Sequence, residues 1–265
     1  MILESLLAAL FGLLIGSFLN VCIFRLPYDL TPANPPRSFC PHCETTIAWY
    51  DNIPVLSFLL LKGKCRSCQK PISYRYPLVE LLTSACFFLA IYKQGLSWEA
   101  LKLILFSVIC IDLIFTDFEE RILPDEFTIG GAVVGFLLSF KVILAPYFIF
   151  FIMPMESQLW LRSPVESLFG GLFCSGMLWL VRFLYFQIRH KEGMGLGDVK
   201  MVGMLGAFFG LMPALFSLMA GAMLGSVIGL LQILFTKKDA GTYEVPFGSY
   251  LGMAALAIAF FAPRM

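Results

Sequence analysis

Residues 6 to 24 read LLAALFGLLIGSFLNVCIF, nineteen positions in a row without a charged side chain. As a helix rising 1.5 Å per residue the run would be about 28 Å long, close to the roughly 30 Å hydrocarbon core of a bilayer. Only Gly12, Gly16, Ser17 and Asn20 interrupt its bulky apolar character. The stretch therefore predicts a membrane-spanning helix. Nothing basic precedes it, since the chain opens Met1-Ile2-Leu3-Glu4, and no small-residue cleavage site follows, so it is expected to remain as a helix rather than be removed as a signal peptide.

Seven more apolar stretches follow, at about 77–92, 98–116, 127–145, 164–186, 199–212, 214–235 and 247–263. The expected architecture is an all-α polytopic membrane protein with about eight transmembrane helices. It divides into a first transmembrane helix (1–24), a polar loop (25–76) and a multi-helix membrane domain (77–265). Residues 146–163 read as amphipathic, a segment for the membrane interface. Composition agrees: 59% of the 265 residues are hydrophobic and 14% charged, against about 25% charged in soluble domains. A mean hydropathy of +0.83 excludes an ordinary soluble fold. Nineteen basic and eighteen acidic residues leave a net charge of +1, too little for a broad grip on nucleic acid. Two histidines leave little room for multi-histidine metal catalysis.

Basic residues set the orientation. If the 25–76 loop faces the cytoplasm, eight spans place 117–126, 187–198 and 236–246 on the same side, and with Lys200 these segments hold thirteen of the nineteen Lys and Arg residues. By the positive-inside rule both termini then lie outside the cytoplasm. Glycines at four-residue spacing, Gly206 and Gly210, then Gly221, Gly225 and Gly229, mark faces where helix backbones can approach closely.

The polar loop carries Cys40-Pro-His-Cys43 and Cys65-Arg-Ser-Cys68, two C-x-x-C pairs separated by 21 residues. Two such knuckles supply four thiolates for a tetrahedral zinc ion. A site closed by four protein ligands has no open position, so the zinc would be structural, folding a loop too small to bury a core. A reducing cytoplasm argues against disulfides. His42 lies within the first knuckle, but four cysteines suffice. Cys22, Cys86, Cys110 and Cys174 stand singly in apolar stretches and read as packing residues.

Two carboxylates share a predicted depth at the cytoplasmic face. Asp117 closes the third span, and Asp198 opens the sixth in Gly195-Leu-Gly197-Asp198-Val-Lys200. Two nearby carboxyls cannot both ionise easily, so one keeps a proton while the other acts as a base, the arrangement that activates water and protonates a leaving amine. Spacing alone leaves two alternatives open: Asp198 as a helix cap, or an ion or proton pathway. Asp112 lies about a turn deeper and suits a buried polar contact. Glu119, Glu120, Asp125 and Glu126 form either a solvated loop or an acidic mouth for a basic peptide, and Asp125 after Pro124 also reads as a helix start.

Taken together these motifs resemble the bacterial type IV prepilin peptidases, aspartic proteases of the GxGD class, over nearly the whole chain. The resemblance rests on Gly16-Ser-Phe-Leu-Asn-Val21 with Arg25-Leu-Pro27, the two C-x-x-C pairs, Asn52-Ile-Pro54, and Tyr76-Pro-Leu-Val-Glu80. It continues through Asp117 with Leu123-Pro-Asp125, the Gly-x-Gly-Asp-x-Lys run and Pro246-Phe-Gly248. It implies a multi-pass inner-membrane enzyme whose active site faces the cytoplasm. Such an enzyme cuts the short basic leader from type IV prepilins or type II secretion pseudopilins after a glycine, with Asp117 and Asp198 as the catalytic pair. It also implies N-methylation of the new terminus with S-adenosylmethionine, for which Asn20, Gly63 and Glu80 are the candidate binding residues. Two positions depart from the family pattern: Glu119 replaces a common aspartate, and Gly248-Ser249 replaces a common Gly-Pro. The competing readings are an ion- or proton-coupled transporter with a zinc-binding regulatory loop, and a non-enzymatic scaffold built on that loop. No H-E-x-x-H occurs, and His42 and His190 both lie outside the spans, which disfavours metalloprotease chemistry. The sequence leaves the oligomeric state open.

Overall fold

The computed structural model describes residues 1–145, 159–191, 193–236 and 245–262. Among these, every segment read as a span is helical: α1 (Ile2–Arg25), α3 (Arg75–Gln94), α4 (Trp98–Glu120), α5 (Asp125–Leu138), α6 (Leu159–Arg189), α7 (Leu196–Phe209), α8 (Leu211–Thr236) and α9 (Phe247–Phe261). A short helix, α2 (Leu56–Leu60), lies in the polar loop, and no named strand occurs among the described residues. Four helical segments are long and apolar enough to cross a membrane, Ile2–Tyr28, Arg75–Gln94, Leu161–Arg189 and Leu211–Gln232, and Phe247–Phe261 is a shorter apolar helix. The amphipathic segment expected at 146–163 lies outside the described residues up to 158, as do Lys237 and Lys238 of the last basic loop.

One boundary moves notably. The fourth span was expected to run to 145, yet α5 ends at Leu138. The Ser139 hydroxyl donates to the Phe136 carbonyl (2.5 Å), offering the chain a local partner in place of the next helical turn.

The chain divides into two compact units, residues 1–112 and 113–265, with α4 running through the division. In the first unit α1 and α3 pack backbone to backbone. A Cβ at Gly12 would stand 2.8 Å from Ser84 Cα, and one at Gly16 2.7 Å from Glu80 Cα. Such proximity lets polar groups bond across the pair: Ser84 Oγ donates to the Ala9 carbonyl (2.9 Å) and Asn20 Nδ2 to the Tyr76 carbonyl (3.0 Å). The other face of α1 presents Leu3, Leu7, Leu10, Leu14 and Phe18, each more than half exposed. An apolar stripe of that size is suited to lipid rather than water.

In the second unit α7 is the centre. From Val199 to Phe208 every residue but Lys200 is buried, as expected of a helix that is apolar nearly all round. Fourteen residues make it only about 21 Å long. Of the glycines at four-residue spacing, Gly206, Gly221, Gly225 and Gly229 are packing positions, as their pattern predicts, whereas Gly210 ends α7 with φ +81°. A Cβ on Gly206 would fall onto the Gly170 backbone, and one on Gly221 would come within 2.7 Å of Leu251 Cα. Gly206→Ala is therefore expected to destabilise the unit by about 1–3 kcal/mol, because backbone atoms cannot yield as a side chain can. A lowered melting temperature of the purified protein would register it; an unchanged one would mean that α6 and α7 separate without penalty.

Candidate active site and metal centre

The two C-x-x-C pairs fold into matching turns. Cys40 N–H donates to the Thr45 carbonyl (3.0 Å) and Glu44 N–H to the Cys40 carbonyl (2.8 Å). In the second turn Cys65 N–H donates to Lys70 (2.9 Å) and Gln69 N–H to Cys65 (3.0 Å). Glu44 and Gln69, each next after the second cysteine of its pair, adopt positive φ of 56° and 58°, and isolated bridges Phe39–Thr46 and Lys64–Pro71 close the turns. Two sequence-distant segments thus present sulfurs to one point. The Sγ atoms of Cys40, Cys43, Cys65 and Cys68 all lie within 4.8 Å of one another. Cys40 and Cys68 are 3.9 Å apart, near the roughly 3.8 Å edge of a tetrahedron with 2.3 Å metal–sulfur bonds and far beyond disulfide length. Hydrogen bonding at Thr45 pulls the Cys43 thiol down to about 6, and the backbone N–H groups of Cys68 and Ser67 lower Cys65. Both effects favour thiolates, the form that ligates a metal, whereas, against the pull of the Lys70 backbone, burial and the neighbouring sulfurs push Cys68 up to about 11. This cluster could hold a metal ion; His42 is exposed and outside it.

Three tethers tie the polar loop together and to α1 and α3. The buried Arg25 guanidinium donates to the carbonyls of Pro32 (2.7 Å), Pro35 (2.8 Å) and Arg37 (3.3 Å). Arg66 grips Asp51 through two bonds of 2.8 and 2.6 Å, holding its carboxyl below the usual range. Glu80 Oε2 accepts the Val55 N–H (2.7 Å). Val55 has φ 60° and ψ −48°, and Leu56 N–H reaches back to the Pro54 carbonyl (2.6 Å). That is a γ-turn in a conformation costing a β-branched residue roughly 1–3 kcal/mol, held by the buried carboxylate. Asn20 and Glu80 therefore stand about one helical turn apart on the α1–α3 pair, and Asn20 Oδ1 is a buried acceptor with no partner. Gly63 sits elsewhere, in the turn after α2 with φ +67° and against the Phe58 ring.

Asp117 and Asp198 meet at one cavity. It has a volume of about 310 Å³, and its lining includes both aspartates with Arg121, Leu123, Asp125 and Lys200. Asp117 lies in the last turn of α4 and is 6% exposed. A negative charge is unfavourable at a helix C-terminus. The Arg121 side chain offsets it by donating to the Asp117 carbonyl (3.0 Å). Asp198 is partly buried in the first turn of α7, where the helix dipole suits an anion. Gly197 permits this approach: a Cβ there would stand 2.9 Å from Leu123 Cβ.

Asp117 and Asp198 lie just outside the apolar stretches 98–116 and 199–212, and neither has ordinary acidity. Burial, followed by the charge of Asp117, pushes Asp198 up to about 7, against the opposing pull of the Gly195 N–H. Burial also raises Asp117, with the Ser249 backbone and side chain pulling the other way. Ser249 N–H donates to Asp117 Oδ2 at 2.6 Å, and the hydroxyl lies 2.9 Å from the same oxygen. At the mouth Lys200 Nζ bonds both oxygens of Asp125 (2.6 and 2.9 Å). The acidic-mouth reading is thus modified, since Asp125 is paired; Glu119, Glu120 and Glu126 are exposed. Asp112 is fully buried in the first unit, as a deeper polar contact requires. Sequence reasoning missed the role of Ser249, although its departure from Gly-Pro was the available signal. Cys22, Cys86, Cys110 and Cys174 are buried packing residues, as read.

Comparison with known proteins covers both units. Residues 10–94 match the Bacterial Peptidase A24 N-terminal domain and residues 104–230 the Type IV leader peptidase family. A prepilin leader peptidase/N-methyltransferase of Myxococcus xanthus is 37% identical over 241 residues, covering 89% of this chain and 67% of that protein. Another of the same name, from Stutzerimonas stutzeri, is 34% identical over 272 residues, with 93% and 87% covered. A type 4 prepilin-like proteins leader peptide-processing enzyme of Escherichia coli O78:H11 is 35% identical over 268 residues, with 95% and 91% covered. No solved structure matches significantly.

Proposed function

Because the chain belongs to the type IV leader peptidase family, we propose that Asp117 and Asp198 are the pair with which it removes the leader from prepilins. The enzyme is a prepilin leader peptidase and N-methyltransferase of the membrane. The observation that carries the assignment is the shared cavity: two aspartates from distant parts of the chain line it, and burial together with the charge of Asp117 makes Asp198 a weaker acid. In a pair holding one proton, the ionised carboxylate takes a proton from water as its oxygen attacks the scissile carbonyl carbon. The protonated carboxyl donates to the carbonyl oxygen, and proton return to the leaving nitrogen completes cleavage of the C–N bond. Gly195, not Asp198, occupies the N-cap of α7, and Asp198 in the first turn can interact with the Gly195 N–H and still act here. Family membership favours this chemistry over the transporter and scaffold readings.

Several finer features complete the reading. The chain crosses the inner membrane about eight times, with residues 25–76 and the aspartate cavity on the cytoplasmic side, where the basic residues collect. Residues 1–24, 25–76 and 77–265 serve as first anchor, metal-held loop and membrane peptidase domain. Cys40, Cys43, Cys65 and Cys68 hold a structural zinc ion; the sulfur spacing supports that fit. Substrates are type IV prepilins or type II secretion pseudopilins, cut after glycine. S-adenosylmethionine supplies the methyl group for the new N-terminus, and Asn20, Glu80 and Gly63 are the residues assigned to its binding. The unpartnered Asn20 Oδ1 supports a polar ligand at the first two; Gly63 has a positive φ that its turn requires.

Intact-mass measurement of a co-expressed prepilin tests the reading. Loss of the leader mass reports the peptidase, and one added methyl reports the transferase. An unprocessed precursor, under conditions in which a control enzyme processes it, would overturn the assignment.

A further inference from the structure

Ser249 is wholly buried at the start of α9, beside Gly248, where a Cβ would come within 3.1 Å of Asp117 Cγ. Its backbone N–H is one of the free donors at a helix N-terminus, where an anion is favoured, and it reaches Asp117 Oδ2 at 2.6 Å. Its hydroxyl lies between two acceptors, Asp117 Oδ2 at 2.9 Å and the Ile114 carbonyl at 2.8 Å. One hydroxyl proton can serve only one of them at a time. When Asp117 is ionised, the proton can point to Oδ2. When Oδ2 carries a proton, the hydroxyl can turn to Ile114 and accept from the carboxyl instead. The backbone N–H has no such choice and favours only the anion.

We propose that Ser249 sets the division of labour in the aspartate pair, holding Asp117 as the water-activating base and leaving the proton on Asp198. Ser249 is a positioning residue, and its role rests on the Asp117–Asp198 reading above. With Oδ2 occupied by two donors from α9, Oδ1 is the oxygen left for water. Asp198 gains one opposing backbone interaction, from Gly195, and no comparable hydroxyl. The other charged groups around the cavity are Arg121 at the end of α4, Asp125 at the start of α5 and Lys200 on α7. Asp125 and Lys200 bond each other, and Arg121 is directed to backbone carbonyls, so neither arrangement replaces the donors on Oδ2. The family pattern that this chain resembles commonly has proline here, which would offer neither donor.

The pH dependence of prepilin cleavage by the full-length protein in lipid vesicles tests this. Ser249→Ala removes the hydroxyl, and Ser249→Pro removes both donors. Losing bonds to the ionised form makes Asp117 harder to ionise. The acid limb of the rate profile should therefore move to higher pH, by about one unit for Ala and further for Pro, with the alkaline limb shifting less. Ser249→Thr keeps a hydroxyl and should restore the wild-type limb, which a purely packing role would not produce. An unmoved acid limb in the Ala and Pro variants would refute the proposal, and movement of the alkaline limb alone would make Asp117 the acid. If Asp117→Asn retained cleavage, the pair itself would be wrong, an outcome distinct from either.

Discussion

Asparagine in place of Asp117 or Asp198 is expected to slow leader removal by about 10³-fold or more, the contribution of a positioned acid or base. The substitution is nearly isosteric, and an amide cannot exchange the required proton. At Asp117 the amide oxygen can still accept the Ser249 N–H and hydroxyl, which now bond Oδ2. At Asp198 the amide oxygen can still meet the Gly195 N–H. Neither variant has a structural reason to unfold. Both also relieve the repulsion that helps raise Asp198, so melting temperatures should stay level or rise slightly, as often happens when a strained active site is neutralised. An inactive variant that melts lower would point to a structural role; a fully active one would remove that aspartate from the mechanism.

Serine in place of any one of Cys40, Cys43, Cys65 and Cys68 should release the metal and leave the polar loop without its main organising centre. Zinc binding by four thiolates is worth about 10–16 kcal/mol in small zinc-dependent folds. The loop has little else: its 3-10 and α-helical turns are short, and Trp49 and Tyr74 are about four-fifths exposed. The Arg25 and Glu80 tethers act near its start, at 32–37, and in its middle, at Val55, and the third tether, from Arg66 to Asp51, comes from an exposed side chain, so none of them replaces a metal at the four sulfurs. Metal analysis should give one zinc per wild-type chain and none in the variants, with much faster proteolysis inside residues 38–72. Equal proteolysis with the metal gone would show that the turns stand without it.

Much of this was legible because membrane helices announce themselves. The run at 6–24 became α1, and each later apolar stretch became a helix, because a chain in lipid must satisfy its backbone internally. The cysteine spacing was equally direct, as two knuckles need only local turns to aim their sulfurs. Asp117 and Asp198 could be paired through a predicted common depth, although nothing between residues 117 and 198 dictates the helix packing that brings them to one cavity. Ser249 was harder to see. Its contact depends on α9 ending its approach beside α4, a tertiary event recorded in sequence only as an unusual residue after Gly248. The turn at Val55 was invisible too, because a valine with positive φ contradicts local preference and persists through a carboxylate on another helix. Gly63 was chosen on position, and the positive φ that its turn requires could not be read from the sequence.

The one-proton pair can be tested by following single-turnover leader removal in lipid vesicles across roughly pH 4 to 9. Asp198, raised to about 7, must keep its proton, so the rate should fall as pH rises through that value. Asp117 must be ionised, so the rate should also fall at the acid end, where it becomes protonated. A bell-shaped profile is expected, abolished by asparagine at either position. A rate that climbs steadily to pH 9, or a bell that persists unchanged in either variant, would contradict a proton shared between Asp117 and Asp198.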